Sequence, residues 1–96
     1  MQIDFPNLAP FEDVVRQLIE FAADVDGRRV LCRISFEAIQ DNFEDKDPLK
    51  TFDKYRSEVE SIARTMIQDG RVRPREPDYR DELLIRNEDV LVLKNR

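Results

Sequence analysis

Apolar residues recur along this chain with two different periods, and the changes of period divide it into elements. Around Asp26-Gly27 they alternate: Ile19, Phe21 and Ala23 precede the pair, and Val30, Cys32 and Ile34 follow it. Alternation marks a half-buried strand. Asp-Gly between two such runs is a strong hairpin signal, because a type I′ turn needs φ > 0 at both central residues. The stretch Gln17–Ser35 is therefore predicted to be a β-hairpin with a two-residue turn. Its register sets Val25 opposite Arg28, Ala23 opposite Val30, Phe21 opposite Cys32 and Ile19 opposite Ile34. One face is then almost wholly apolar. The other sets Asp24 against Arg29, Ala22 against Leu31 and Glu20 against Arg33, with opposite charges across from each other. Residues Phe11–Val25 also fit an amphipathic helix, with Phe11, Val14, Val15, Leu18, Ala22 and Val25 on one stripe, Pro10 at its start and Gly27 past its end. Periodicity does not separate the two readings. The hairpin is favoured because the helix would leave Arg28–Ser35 as a strand with no local partner.

Before the hairpin, Ile3 and Phe5 alternate with polar neighbours and suit a short strand over Met1–Phe5, ended by Pro6, which cannot donate to a ladder. Asn7–Val15 reads as a connector with room for a helical turn. After the hairpin, Ser35 is placed to cap a helix over Phe36–Phe43, with Glu37 in its first turn and Phe36, Ile39 and Phe43 at helical spacing. Glu44-Asp45-Lys46-Asp47 reads as a solvated link. Asp47-Pro48 then opens the longest element: aspartate caps, and proline at the first helical position forgoes no hydrogen bond. Leu49, Phe52, Tyr55 or Arg56, Val59, Ile62, Ala63, Met66 and Ile67 follow the helical rule over five turns, and Gly70 ends the helix. Arg71–Asp81 carries Pro74 and Pro77 and reads as irregular. Glu82–Arg86 reads as a strand, Asn87-Glu88-Asp89 as a turn, and Val90–Leu93 as a last strand or edge segment. The expected fold is α+β in one domain over residues 1–96. An antiparallel sheet, made of the N-terminal strand, the hairpin and a C-terminal strand, packs on two helices in the order β-β-β-α-α-β.

Composition narrows the function classes. The chain has 96 residues, 41% of them hydrophobic and 39% charged, which suits a globular protein with one modest core and a solvated surface. No apolar run approaches the ~20 residues of a membrane span. Neither a signal segment nor a cysteine pair is present, so a cytoplasmic, reducing setting is expected. The net charge is −5, divided as −6 over residues 1–63 and +1 over residues 64–96. That balance supplies no general footprint for nucleic acid or an anionic membrane.

The chain has no histidine, which removes the commonest general base, the Ser-His and Cys-His nucleophile systems and most zinc sites. The acidic residues lack calcium-loop spacing, and Asp41, Glu44, Asp45 and Asp47 cluster only in sequence. Its two glycines, Gly27 and Gly70, form no phosphate loop. Cys32, inward-facing in this register, is expected to be a buried thiol with a raised pKa and little reactivity. No catalytic residue, cofactor or metal is therefore assigned. The candidate surface is the basic cluster Arg71, Arg73, Arg75 and Arg80 with Tyr79 beside it. Arginines and an aromatic suit phosphate contact and base stacking, but Glu76, Asp78 and Asp81 are interleaved and neutralise the cluster locally.

The positions Phe5-Pro6-Asn7, Phe21, Val25-Asp26-Gly27, Val30, Cys32-Arg33-Ile34-Ser35 and Glu37-Ala38-Ile39 form an ordered pattern. It continues through Phe52, Arg56, Val59-Glu60, Ile62-Ala63, Ile67 and Gly70 to Leu84-Ile85-Arg86 and Asp89-Val90. This pattern resembles a short bacterial family, domain of unknown function 1488 (DUF1488). The resemblance implies an α+β domain with an antiparallel sheet and two helices, which favours the hairpin over the helix. It supplies no active site to carry over. The function expected is that of a non-catalytic interaction or accessory module. Its partner would be a protein, or a second copy of the chain, recruited along an exposed sheet edge at Met1–Phe5 or Val90–Leu93. The alternative is a regulatory protein that contacts nucleic acid weakly through the Arg71–Arg80 loop. Nucleic acid is the less favoured partner, and a membrane is not expected.

Overall fold

In the computed structural model, residues 1–43, 47–75 and 80–94 are described, Arg75 and Arg80 by their backbone. The hairpin forms in the predicted register. Strands β3 (Leu18–Val25) and β4 (Arg28–Ser35) pair antiparallel from Leu18↔Ser35 to Val25↔Arg28. Asp26 and Gly27 both take positive φ, 51° and 83°. The Asp26 carboxylate also accepts from the Gln2 amide at 2.8 Å, and the Asp26 amide donates to the Gln2 carbonyl at 2.9 Å. That exchange docks the N-terminus beside the turn, where β1 (Ile3–Asp4) pairs with Val25 and Asp24.

Asn7–Val15 differs from its reading as a connector. Phe11–Asp13 forms β2, which pairs with Leu18–Glu20 at the other end of β3. Strands β1 and β2 thus act as two pieces of one edge strand, interrupted where Pro6 and Pro10 withhold donors. The turn from β2 to β3 is closed by the Arg16 amide donating to Asp13 Oδ1 at 3.0 Å, with Gln17 at φ 57°.

Ser35 caps α1 (Phe36–Asn42), accepting from the Ala38 amide at 3.1 Å. Asp47 caps α2 (Pro48–Lys54), accepting from the amides of Leu49 and Lys50. The long helix expected after Asp47 bends at Tyr55 (φ −109°, ψ 22°) and continues as α3 (Arg56–Gln68). Backbone bonds from Tyr55 to Thr51 and from Val59 to Tyr55 carry the ladder across the bend, and the Tyr55 ring lies 4.9 Å from that of Phe43. Of the link Glu44-Asp45-Lys46-Asp47, the first three residues lie outside the described ones.

The C-terminal third departs furthest from expectation. Arg73–Arg75 forms β5, antiparallel to β6 (Arg80–Ile85), so part of the supposedly irregular stretch is a hairpin. Strand β6 pairs with β4 in parallel, from Val30↔Asp81 to Ile34↔Ile85, which makes the sheet mixed rather than antiparallel. Parallel neighbours need a crossover, and α1, α2 and α3 supply it between β4 and β6. Val90–Leu93 is neither strand nor sheet edge but part of helix α4 (Asn87–Lys94). The observed order is β-β-β-β-α-α-α-β-β-α, with strands arranged β1-β3-β4-β6-β5 and β2 beside β3.

All four helices contribute to one core on one side of the sheet. Ile19, Phe21, Ala23, Val30, Cys32, Ile34, Leu83 and Ile85 face the α3 stripe of Val59, Ile62, Ala63, Met66 and Ile67, with Phe52, Ile39 and Val90 from the other helices. The rings of Phe21 and Phe52 lie 5.2 Å apart at its centre. Arg56 and Arg64 of α3 donate to the carbonyls of Pro6 and Ile3, which ties the N-terminal segment over this core. No helix among the described residues is long and apolar enough to cross a membrane.

Candidate interaction surface

The opposite face of the sheet carries no helix among the described residues, and every second residue of each strand points onto it. Its side chains are mostly charged, but not at random. At its centre Arg33 of β4 is only 7% exposed. Its Nε donates to Glu20 Oε1 of β3 at 2.8 Å and its Nη1 to Glu82 Oε2 of β6 at 2.6 Å. Glu20 stands directly opposite Arg33 in the antiparallel register, whereas Glu82 stands opposite Leu31, two residues along the parallel pair on the same face. One guanidinium thus joins the three central strands. Around this triad lie Ala22, which is buried, and Leu18 and Leu31, which are half-buried. Farther out, Leu84 is 37% exposed and Phe11 60% exposed.

The sequence-predicted cluster sits along one flank of this face. Arg71 follows α3 and donates from Nη2 to Asp89 Oδ1 at 3.1 Å. Arg73 is exposed on edge strand β5, opposite Glu82. Arg75 and Arg80 face each other across the β5–β6 register, while Tyr79 lies outside the described residues. Arg71, Arg73 and Arg86 line a shallow depression of about 210 Å³, floored by Glu82 and Leu84. The side chains of Arg73 and Arg86 make no hydrogen bond or ion pair among the described residues. The other flank carries more carboxylates than cations: Asp13 of β2 pairs with Arg16 at 3.9 Å, and Asp4 stands opposite Asp24, which pairs with Arg29 at 2.7 Å, at the β1–β3 edge.

Sequence reasoning missed Phe11, Leu84, Glu82 and Arg86 as members of the surface. The facing of Glu20 and Arg33 was legible from the hairpin register. Glu82 joins them only through the parallel β4–β6 pair, for which residue spacing gives no signal.

Elsewhere the structure offers little chemistry. Cys32 is fully buried on the core side, and burial, reinforced by the nearby negative charge of Glu60, pushes its thiol from 9.0 up to about 12. Among the described residues no group of three or more cysteines and carboxylates is placed to hold a metal ion. A second cleft, of about 250 Å³, opens at the hairpin end between Met1, Val25, Val30, Ile67 and Val72. The Arg28–Asp81 ion pair stands at its rim.

Comparison with known proteins agrees with this architecture. A crystal structure of a protein of unknown function from the DUF1488 family, from Shewanella loihica PV-4, is similar at a TM-score of 0.64 and 18% sequence identity. The similarity covers 86% of this chain and 90% of that one, and at such identity it speaks for the fold alone. No curated protein matches the chain. The family model described as protein of unknown function (DUF1488) matches residues 3–77, which run from β1 past β5. The chain therefore belongs to the DUF1488 family.

Proposed function

We propose that this protein is a non-catalytic interaction module whose working surface is the open face of its sheet. The observation that carries the reading is the state of Arg33. An arginine on a merely solvated face has no reason to be desolvated, yet this one is almost wholly buried and held by two carboxylates. Its charge is already compensated, so covering it adds little of the desolvation penalty that an unpaired ion would incur. Apolar side chains, including the exposed Phe11 and Leu84, lie around it within a charged border. A central region depleted of free charge inside a polar rim is the usual anatomy of a protein interface. The lone buried thiol suits a reducing, aqueous compartment.

Affinity capture from a native lysate tests this reading. The wild-type chain is expected to retain a protein, which mass spectrometry identifies. A Phe11→Asp/Leu84→Asp variant with an unchanged circular-dichroism spectrum should release it. Equal retention by both chains would reject the open face as the working surface. Arg73 and Arg86, whose side chains have no partner among the described residues, favour a second reading, contact with a polyanion along the basic flank.

A further inference from the structure

Building on that reading of the open face, we propose that its occupant is a second copy of this chain, docked face to face about a two-fold axis parallel to the strands. The two flanks of the face carry opposite charge. Asp4 and Asp13 stand on the β1–β2 side, and Arg73 and Arg86 on the β5–β6 side without side-chain partners among the described residues. An axis running along β4 exchanges the flanks. It lays the acidic border of each copy over the basic border of the other, twice in one interface. An axis across the strands would instead set arginine on arginine and carboxylate on carboxylate. Charge therefore selects the first arrangement. Both axes keep the strands of the two sheets near-aligned, as in stacked twisted sheets at about −30°, so the choice between them rests on charge.

The remaining contacts agree with this axis. Phe11 sits at the β2 edge in the row of Glu20 and Arg33, so the rotation carries it toward Leu84 and Arg71 of the other copy. An exposed ring there gains apolar cover and a guanidinium over its face. Near the axis Leu31 and Arg33 meet their own counterparts, and Arg33 arrives already neutralised by Glu20 and Glu82. Five strands side by side, with eight residues in the longest, give a face of about 19 by 26 Å from standard strand spacing and rise. That footprint, roughly 500 Å² in projection before side-chain relief, falls somewhat below the ~800 Å² per partner of a standard interface. A reversible dimer is the consequence. The net charge of −5 on each copy opposes association at long range, but in ~0.1 M salt the ~10 Å Debye length screens the far sides while leaving facing flanks coupled. An unrelated acidic partner would use the arginine flank and leave the acidic one idle; a second copy uses both.

Sedimentation equilibrium from ~5 to ~200 µM spans the affinities expected of such a contact. The wild-type chain should pass from monomer to dimer over this range. Two charge-reversal variants, Arg73→Glu/Arg86→Glu and Asp4→Arg/Asp13→Arg, should each associate at least ~10-fold more weakly, because like charges then face each other. Mixed in equal amounts, the two should form dimers again, since each reversed flank now meets the other; that recovery also shows that both fold. A monomer throughout the range would overturn the proposal. So would a dimer that neither reversal weakens, or two weakened variants that fail to recover on mixing. A monomeric wild type that still retains a partner in the capture experiment would reject the second copy and leave the interaction-module reading standing.

Discussion

Cys32 and Arg33 are neighbours in β4 that point to opposite faces, and each shows how one buried polar group is accommodated. Arg33 is met by two carboxylates, one from each neighbouring strand. Cys32 faces only the core, so its neutral thiol is the form the fold accepts. With the folded thiol near 12 against 9.0 ordinarily, the sign of the pH effect follows. Below pH ~9 both folded and unfolded chains keep the proton, and stability does not depend on it. Above pH ~9 the unfolded chain releases a proton that the folded chain retains, so stability falls as pH rises, by up to ~1.4 kcal/mol per pH unit until the folded thiol itself titrates. Urea unfolding at pH ~8, ~9, ~10 and ~11 should show a steeper loss for wild type than for Cys32→Ala, although the variant starts lower at pH ~8 because it leaves a cavity. Parallel slopes would remove the thiol from the account. A thiol reagent at pH ~8 should react slowly with the folded chain and quickly in denaturant.

Elements were legible where local chemistry specifies them, and obscure where pairing is distant. The β3–β4 hairpin could be read to the residue because turn, alternation and cross-strand charge all point to one register. The caps at Ser35 and Asp47 and the stop at Gly70, φ 76°, were equally local. Strand β2 was hidden, because three residues between prolines and a four-residue turn give no periodic signal. Val90–Leu93 has the β-branched, apolar look of a strand. What makes it helical is the segment before it: Asp89 Oδ2 accepts from the Arg86 amide at 3.0 Å, and the Asp89 and Val90 amides donate to the Arg86 carbonyl. Asn-Glu-Asp ahead of an apolar run is a helix start as readily as a turn. The direction of β6 was misread for want of one inference: three helices on a single face of the sheet return the chain parallel to β4. The basic cluster was visible as composition, but its position beside Leu84 and Glu82 depended on that direction. The hairpin itself has a sharp test. A Cβ at Gly27 would meet nothing within 4 Å, so any penalty there is one of backbone conformation at φ 83° and not of collision. Thermal melts should therefore rank Gly27→Asn least destabilised, Gly27→Ala next and Gly27→Val worst, with Val costing ~1–2 kcal/mol. Equal losses for the three would show that the turn does not depend on its left-handed geometry.

Across the whole molecule, the decision about nucleic acid rests on how many arginines are free to meet a polyanion. Arg71 already engages Asp89, and the depression between Arg71, Arg73 and Arg86 has Glu82 in its floor. The face that would approach a duplex bears Asp4 and Asp13 on its far border, and the chain as a whole carries a net charge of −5. Each phosphate contact contributes a salt slope of about −0.7 to −0.9 in log K, so the few contacts this flank could make fade quickly as salt rises. At physiological salt, where the Debye length is ~8 Å, Asp4 and Asp13 are largely screened from the arginine flank, but Glu82 and Asp89 lie among the arginines and are not. Local neutralisation should win. Fluorescence anisotropy of labelled duplex and single strands, titrated with protein to tens of micromolar at ~150 mM salt, is expected to stay flat. Saturable binding there, abolished when Arg71, Arg73, Arg75 and Arg80 are replaced by alanine, would establish the basic flank as a nucleic-acid contact and displace protein as the partner. Should binding appear only below ~50 mM salt and not survive at ~150 mM, it would have the steep dependence of a few unsupported phosphate contacts, and the open face would remain a surface for protein.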